Sequence, residues 1–410
     1  MNFLKMALLG GAALAVSAAG AQADDLAALK AQMEAMQARV NQLEAAPVAP
    51  AGGSFLTIKQ APSTQLVGVP EGKGYGKTVT QVSVIPTADA APAASLEWSG
   101  YVRTILFYNS YQGSKVDSGD IWVRGQLKVV GKTDTAVGEV GGRIQLRANS
   151  FESFSDETID PITLVGNNDD SVSHGNSTVV MNEAWGWWQF SPEMNLGGGF
   201  TGSVGNIGHG VDGACNCYGT DNSDAFDFNP GDNEQLRLTF ASGPFSAAIA
   251  IEDGGRNSSG LKRYSDIGAA GEIAYSNDSF SGEVSGFFGE GVHGASAYQV
   301  GAGVTFGLGD MLALSVAGAV GDNTNGIDDK YYGVSALAKM TLTEAISAEL
   351  GYGMKDYKIK ANDESAALAG LYYSPVSELV LGLEAEYIMP SGPKNDSTQV
   401  DFVVNYAFHE

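Results

Sequence analysis

Cysteine is almost missing: the 410-residue chain has two, Cys215 and Cys217, too few for a disulfide scaffold. Basic residues are scarce as well. Lys and Arg total 23 against 47 Asp and Glu, a formal net charge of −24 at pH 7, so the basic surface that tracks a phosphate backbone is lacking and nucleic acid is not an expected partner. Beyond the N-terminus no stretch offers about 18 uninterrupted apolar residues, which excludes a helical inner-membrane protein. The four histidines, His174, His209, His293 and His409, fall in loops or at the terminus. No GxSxG elbow and no exposed Ser/His pair on one strand is found, so no enzymatic activity is expected. The run GGGFTG, with glycines at 197, 199 and 202, formally satisfies GxGxxG, but no helix follows it and a dinucleotide role is rejected. Small side chains there would instead suit close packing between subunits.

Glycine is abundant, at 54 residues, and the profile suits an all-β protein. Residues 1–23 read as a secretory signal peptide, with an early lysine, an apolar run from Met6 and the small-x-small site Ala21-Gln22-Ala23. Residues 24–46 place Leu26, Leu29, Met33, Met36, Val40 and Leu43 at alternating spacings of three and four, the seam of a short coiled coil. Two readings stay open for it: association with identical helices of other subunits, or an amphipathic helix lying on its own domain. Residues 47–95 turn to Pro, Gly, Ala and Thr, with two β-like islands at 55–59 and 78–85. This is a linker or a small periplasmic neck, or a segment entering a lumen. Six acids and six bases precede Leu96, so 41 acids against 17 bases lie from there on. The acidity belongs to the C-terminal part.

From Leu96 the pattern becomes blocks of about ten residues with every second position apolar or small. In 119–132, Ile121, Val123, Leu127 and Val129 fall on one face while Trp122, Arg124, Gln126 and Lys128 fall on the other. Lysine and arginine cannot face hydrocarbon, and so many apolar side chains cannot face water. A sheet with lipid outside and water inside satisfies both. Sixteen blocks are predicted, at 96–109, 119–132, 136–149, 178–190, 194–204, 235–241, 244–252, 267–276, 279–290, 298–308, 311–320, 331–342, 344–355, 365–374, 377–389 and 398–408. Tight turns alternate with longer Asp-, Asn- and Gly-rich connections, as in outer-membrane barrels. Aromatics near strand ends, among them Trp98, Tyr108, Trp188 and Phe408, suit interfacial girdles. A soluble sandwich or propeller would share the alternation but not these outward rows. The expected fold is a 16-stranded antiparallel transmembrane β-barrel over 96–410.

The first three barrel strands collect Arg103, Arg124, Lys128, Arg143 and Arg147 on the inward face, and the long stretch 205–235 holds Asp212, Asp221, Asp224, Asp227, Asp232 and Glu234 without a single Lys or Arg. With these two sets, and SGYVRTILFYN from Ser99, the chain resembles the general diffusion porins of alphaproteobacterial outer membranes. The resemblance implies sixteen strands, three associated copies, and a third long loop whose carboxylates face a basic cluster across a narrow eyelet. It departs from the family in ending His409-Glu410 after Phe408 and in carrying the heptad stalk.

Opposed unit charges about 10 Å apart attract by about 0.4 kcal/mol in bulk water and about 1.7 kcal/mol at an effective dielectric of 20. That biases permeation without creating a tight site. The expectation is therefore a sieve for ions and small hydrophilic solutes with a modest cation preference, because acids outnumber bases. The bland alternative leaves the acidic loop solvated outside. A second function, from another class, is an envelope tether whose stalk spaces or contacts peptidoglycan while the barrel anchors it in outer-membrane lipid. No cofactor is required; Ca²⁺ is the ion that clustered loop carboxylates would suit, though no stretch follows EF-hand order. Cys215-Asn216-Cys217 lacks metal-site spacing and is either a local disulfide or two thiols.

Overall fold

The computed structural model describes residues 55–62, 78–85, 94–112, 117–150, 179–221, 223–253, 267–290, 296–324, 327–392 and 395–408. The predicted signal peptide, the heptad helix 24–46 and most of the linker lie outside these residues. Among the described residues no helix is long and apolar enough to cross a membrane; the sheet does the crossing.

Two strands, β1 (Phe55–Pro62) and β2 (Thr78–Ile85), precede the barrel. The barrel begins with β3 (Ala94–Tyr111), β4 (Ser118–Thr135), β5 (Gly138–Ser150), β6 (Val179–Gln189), β7 (Met194–Gly202) and β8 (Asp232–Ser242). It continues through β9 (Phe245–Asp253), β10 (Ile267–Ser276), β11 (Phe280–Glu290), β12 (Ser296–Leu308) and β13 (Leu312–Thr324). It ends with β14 (Ile327–Thr341), β15 (Ile346–Tyr357), β16 (Glu364–Val376), β17 (Leu379–Pro390) and β18 (Ser397–Phe408). Each of β3 to β18 pairs antiparallel with its chain neighbour, and β18 returns to β3 from Ser397↔Tyr111 to Phe408↔Gly100. The sheet is thus a closed 16-stranded barrel with no free edge, as a membrane-spanning sheet requires. At one rim the turns are short, and glycines with positive φ, Gly243 (57°) and Gly309 (68°), supply the conformation two of them need.

Side chains separate by parity. Along β3, Val102 and Leu106 are exposed while Glu97, Ser99, Tyr101 and Arg103 are buried. Along β18, Phe402, Tyr406 and Phe408 point out, whereas Asp401 and Asn405 are buried inside. An apolar outward row with a polar inward row places lipid outside and water inside.

The stretch read as a linker contributes to the wall. β2 takes over the edge of β3 below the end of β18, pairing Thr80↔Trp98 to Val84↔Ala94, and β1 adds to β2 from Phe55↔Ile85 to Pro62↔Thr78. The buried Glu97 on β3 accepts from Gln81 Nε2 at 3.3 Å and pairs with Lys132 Nζ at 3.1 Å. The wall therefore extends beyond the barrel rim on one side.

Candidate pore constriction

The connection from β7 to β8, residues 203–231, lies inside the barrel. It contains the short helix α1 (Gly210–Ala214). Its backbone follows the inner wall around, donating N–H groups to inward side chains in succession. Val204 N reaches Glu252 on β9 at 3.0 Å, Gly208 N bonds Glu283 on β11, and Gly210 N reaches Ser315 on β13 at 2.9 Å. Asn216 N bonds Glu349 on β15 at 2.9 Å, Tyr218 N and Gly219 N share Glu384 on β17 at 2.8 and 3.0 Å, and Asp224 N reaches Glu364 on β16 at 2.9 Å. A loop drawn away from bulk water must have its backbone groups satisfied, and the inward carboxylates of the wall supply that satisfaction.

Shape brings the loop to this side. The inward positions of β12 to β15 are small, and a Cβ added at Gly301 would stand 2.2 Å from Ile207 Cδ1, at Gly303 2.4 Å from His209 Cβ, and at Gly333 2.6 Å from Phe228 Cε1. Ile207, Val211, Phe226 and Phe228 fill this trough and are at most 2 % exposed. Together with Ala317, Ala319, Leu337, Leu368 and the disulfide-linked Cys215 and Cys217, they form apolar cores within the lumen. Gly210 adopts φ 74°, and a Cβ there would meet Ser335 Oγ at 2.2 Å, so the entry to α1 requires glycine twice over. The cysteines are joined, with Cα atoms 5.2 Å apart, which decides between the two readings of the CxC stretch.

The loop acids serve different ends. Asp224 is held by Lys355 Nζ at 3.0 Å and by Tyr357 OH at 2.6 Å, and Lys355 also donates to Asp227 O at 2.8 Å. Asp227 caps Asn229 N at 2.8 Å; burial pushes its carboxyl up, against the pull of Lys355. Asp212 sits half-buried in α1. Asp221 alone of the set lines the cavity that Arg124 also lines. Asp232 and Glu234 correct the expected loop boundary: they belong to β8, where they are exposed and share parity with Leu236 and Phe240. Strand alternation continues outward past the first apolar residue, which is where composition had ended the strand. Nor do the acids converge on an ion. Among the described residues no group of three or more His, Cys, Asp or Glu is arranged to hold a metal, so the Ca²⁺ expectation finds no site here.

The five inward cations also divide. Arg103, Arg124 and Arg147 lie close enough to repel one another. Arg103 Nε donates to Asn405 at 3.2 Å, Arg124 Nε to Asn149 at 2.8 Å and Arg147 Nε to Gln126 at 2.8 Å. The Arg103 guanidinium sits 4.7 Å from the Tyr101 ring and 4.4 Å from that of Tyr218, so the loop crosses the lumen and touches the basic wall there. Burial, opposed by Arg103, pushes the Tyr218 phenol up to about 12. Arg143 instead pairs with Glu183 and Lys128 is buried. Sequence reasoning missed Lys339, Lys355 and Arg237 and the anchoring carboxylates; their common signal was a charge at an inward parity position on β8 to β17.

The barrel, its inward loop and the two-faced wall describe a channel across a membrane, and a family model for Gram-negative porins matches residues 79–409. The chain belongs to that family. This porin resides in the outer membrane and forms a channel for diffusion. No curated protein matches its sequence. In structure the porin is similar to the outer membrane channel DcaP of Acinetobacter baumannii, at 14 % identity and a TM-score of 0.59, over 77 % of this chain and 98 % of that one. It is also similar to an anion-selective porin from Comamonas acidovorans, at 15 % identity and a TM-score of 0.57, over 77 % and 100 %. These likenesses are of fold.

Proposed function

We propose that the chain is a trimeric, size-limited diffusion porin with a modest preference for cations, its narrowest passage lying between the 203–231 loop and the arginines of β3 to β5. The observation that carries this is the loop itself, bonded along the wall from β9 to β18 and reaching Arg103 through Tyr218. At that passage Arg103, Arg124 and Arg147 share the space with Asp221 of the loop and with Glu384 and Asp401 on the adjoining strands β17 and β18, three residues of each formal sign. The surplus of 41 acids over 17 bases from Leu96 on then biases the approach to both mouths toward cations.

Association of three copies draws support from the outward face of β5 to β7. Gly142, Gly186 and Gly198 are paired neighbours in one row, and a Cβ at any of them would find its nearest neighbour at 3.6 to 3.8 Å. The protein's own packing does not demand glycine there, whereas close approach by another subunit would.

The test is a planar bilayer with a salt gradient. Three-step conductance and a reversal potential toward the cation's equilibrium value are expected. Replacing 206–229 by a short Gly-Ser linker raises single-channel conductance; an unchanged conductance would show that the loop is not the narrowest point.

A further inference from the structure

The seam where β18 closes on β3 and β4 holds a cavity of about 370 Å³, roofed by the loop. Its walls carry both signs of charge and aromatic surface: Trp122, Arg124, Tyr218, Asp221, Gln399 and Asp401. One atom stands out. Asp401 is 0 % exposed, its Oδ2 accepts from Gln399 Nε2 at 2.9 Å, and its Oδ1 has no hydrogen-bond partner among the described residues. The neighbouring Glu384, paired to it across the strands, is fully engaged by Tyr218 N, Gly219 N, Thr220 and Tyr372. Gln399 Nε2 also donates to Gly219 O at 2.7 Å, and a Cβ at Gly219 would lie 2.2 Å from Asp401 Oδ2. The loop backbone thus packs against Asp401 at the edge of the cavity yet leaves one buried carboxylate oxygen without a hydrogen bond.

A buried acceptor without a donor is costly, and a donor from the lumen, water at rest or a solute in passage, relieves it. The donor best suited to a carboxylate is a cationic N–H. Arg124, stacked 4.3 Å from the Trp122 ring and tied at Nε to Asn149, presents the opposite charge in the same cavity. Resting on the channel reading above, we infer that this cavity is a binding subsite for small zwitterions with an apolar or aromatic body. The ammonium goes to Asp401 and Asp221, the carboxylate to Arg124, and the body against the aromatic wall.

The experiment uses the full chain in a planar bilayer with three probes of similar size: L-phenylalanine, phenethylamine and 3-phenylpropionate. L-Phenylalanine should reduce the ion current saturably, and each single-charge probe should need about tenfold more for the same block, because each forfeits one charged contact. Asp401→Asn should raise the half-blocking concentration of L-phenylalanine about tenfold and leave that of 3-phenylpropionate where it was; Arg124→Gln should leave phenethylamine where it was. Equal block by all three probes, or phenethylamine matching L-phenylalanine, overturns the inference, and these comparisons on the wild-type channel decide it even if a variant fails to fold. A conducting channel without saturable block overturns this inference alone, whereas absence of conductance overturns the channel reading beneath it.

Discussion

Lys355 is fully buried, and its two anchors on the loop, the Asp224 carboxylate and the Asp227 carbonyl, make it the residue on which the loop's far end depends. Removing one partner of a buried pair leaves the other charge uncompensated, at a cost of about 3 kcal/mol. Lys355→Met should therefore speed amide exchange across 223–229 by about a hundredfold, while the strands away from the loop keep their protection. His209 offers a pH-dependent counterpart. Its Nδ1 meets Thr305 Oγ1 at 2.7 Å, and burial lowers its pKa below the ordinary 6.5. An imidazole whose folded pKa is lowered contributes stability that is complete above about 6.5 and declines as pH falls toward the folded value. Asp227 acts with the opposite sign, since a carboxyl raised by burial loses its penalty on protonation. As pH falls from 7 to 5, loop protection factors in the wild type should therefore drop relative to those of His209→Gln, in which only the opposing Asp227 contribution remains. At this scale the sequence exposed which charges face inward, because a parity rule decides that. Which charges meet was not legible: nothing local links Lys355 to Asp224, or Glu384 to Tyr218, across more than a hundred residues of chain.

Among the elements, strands were the most readable feature and the loop's docking the least. Each strand carries its own alternation, so β6 was expected at 178–190 and spans Val179–Gln189, and β18 was expected at 398–408 and spans Ser397–Phe408. The loop carries no such period. Its placement comes from a match between two distant patterns: apolar Ile207, Val211, Phe226 and Phe228 on one side, and small inward residues of β12 to β15 on the other. A glycine in a strand reads as a weakness until something is found to press against it. Gly333 is the clearest case, because the nearest atoms to an added Cβ belong to the Phe228 ring and the flexible Lys355 stem. Gly333→Val should overfill the trough at a cost of about 1–3 kcal/mol, dislodging the loop rather than the strand. Single-channel conductance and open-channel noise should both rise, while the barrel resists heat in detergent as before. A variant with unfolded barrel and no conductance would place the strain in the wall instead.

For the molecule as a whole, selectivity is a contest between a near-balanced passage and an acidic envelope. The two respond differently to salt. Screening acts over about 10 Å at 0.1 M and about 3 Å at 1 M, so charges spread over the mouths lose influence quickly as salt rises. The charges of the passage, among them Arg103 stacked on the Tyr218 ring and Arg124 and Asp221 lining one cavity, are enclosed by loop and wall and are screened much less. If the surplus of acids sets the preference, cation selectivity from reversal potentials should be clear at 0.1 M and nearly vanish at 1 M, and Asp221→Asn should shift it only slightly at either concentration. A preference that persists at 1 M and collapses in Asp221→Asn would assign selectivity to the passage. An anion preference at low salt would mean that Arg103, Arg124 and Arg147 prevail over the acidic mouths, because each ion must pass within reach of that cluster whereas the mouths act at a distance.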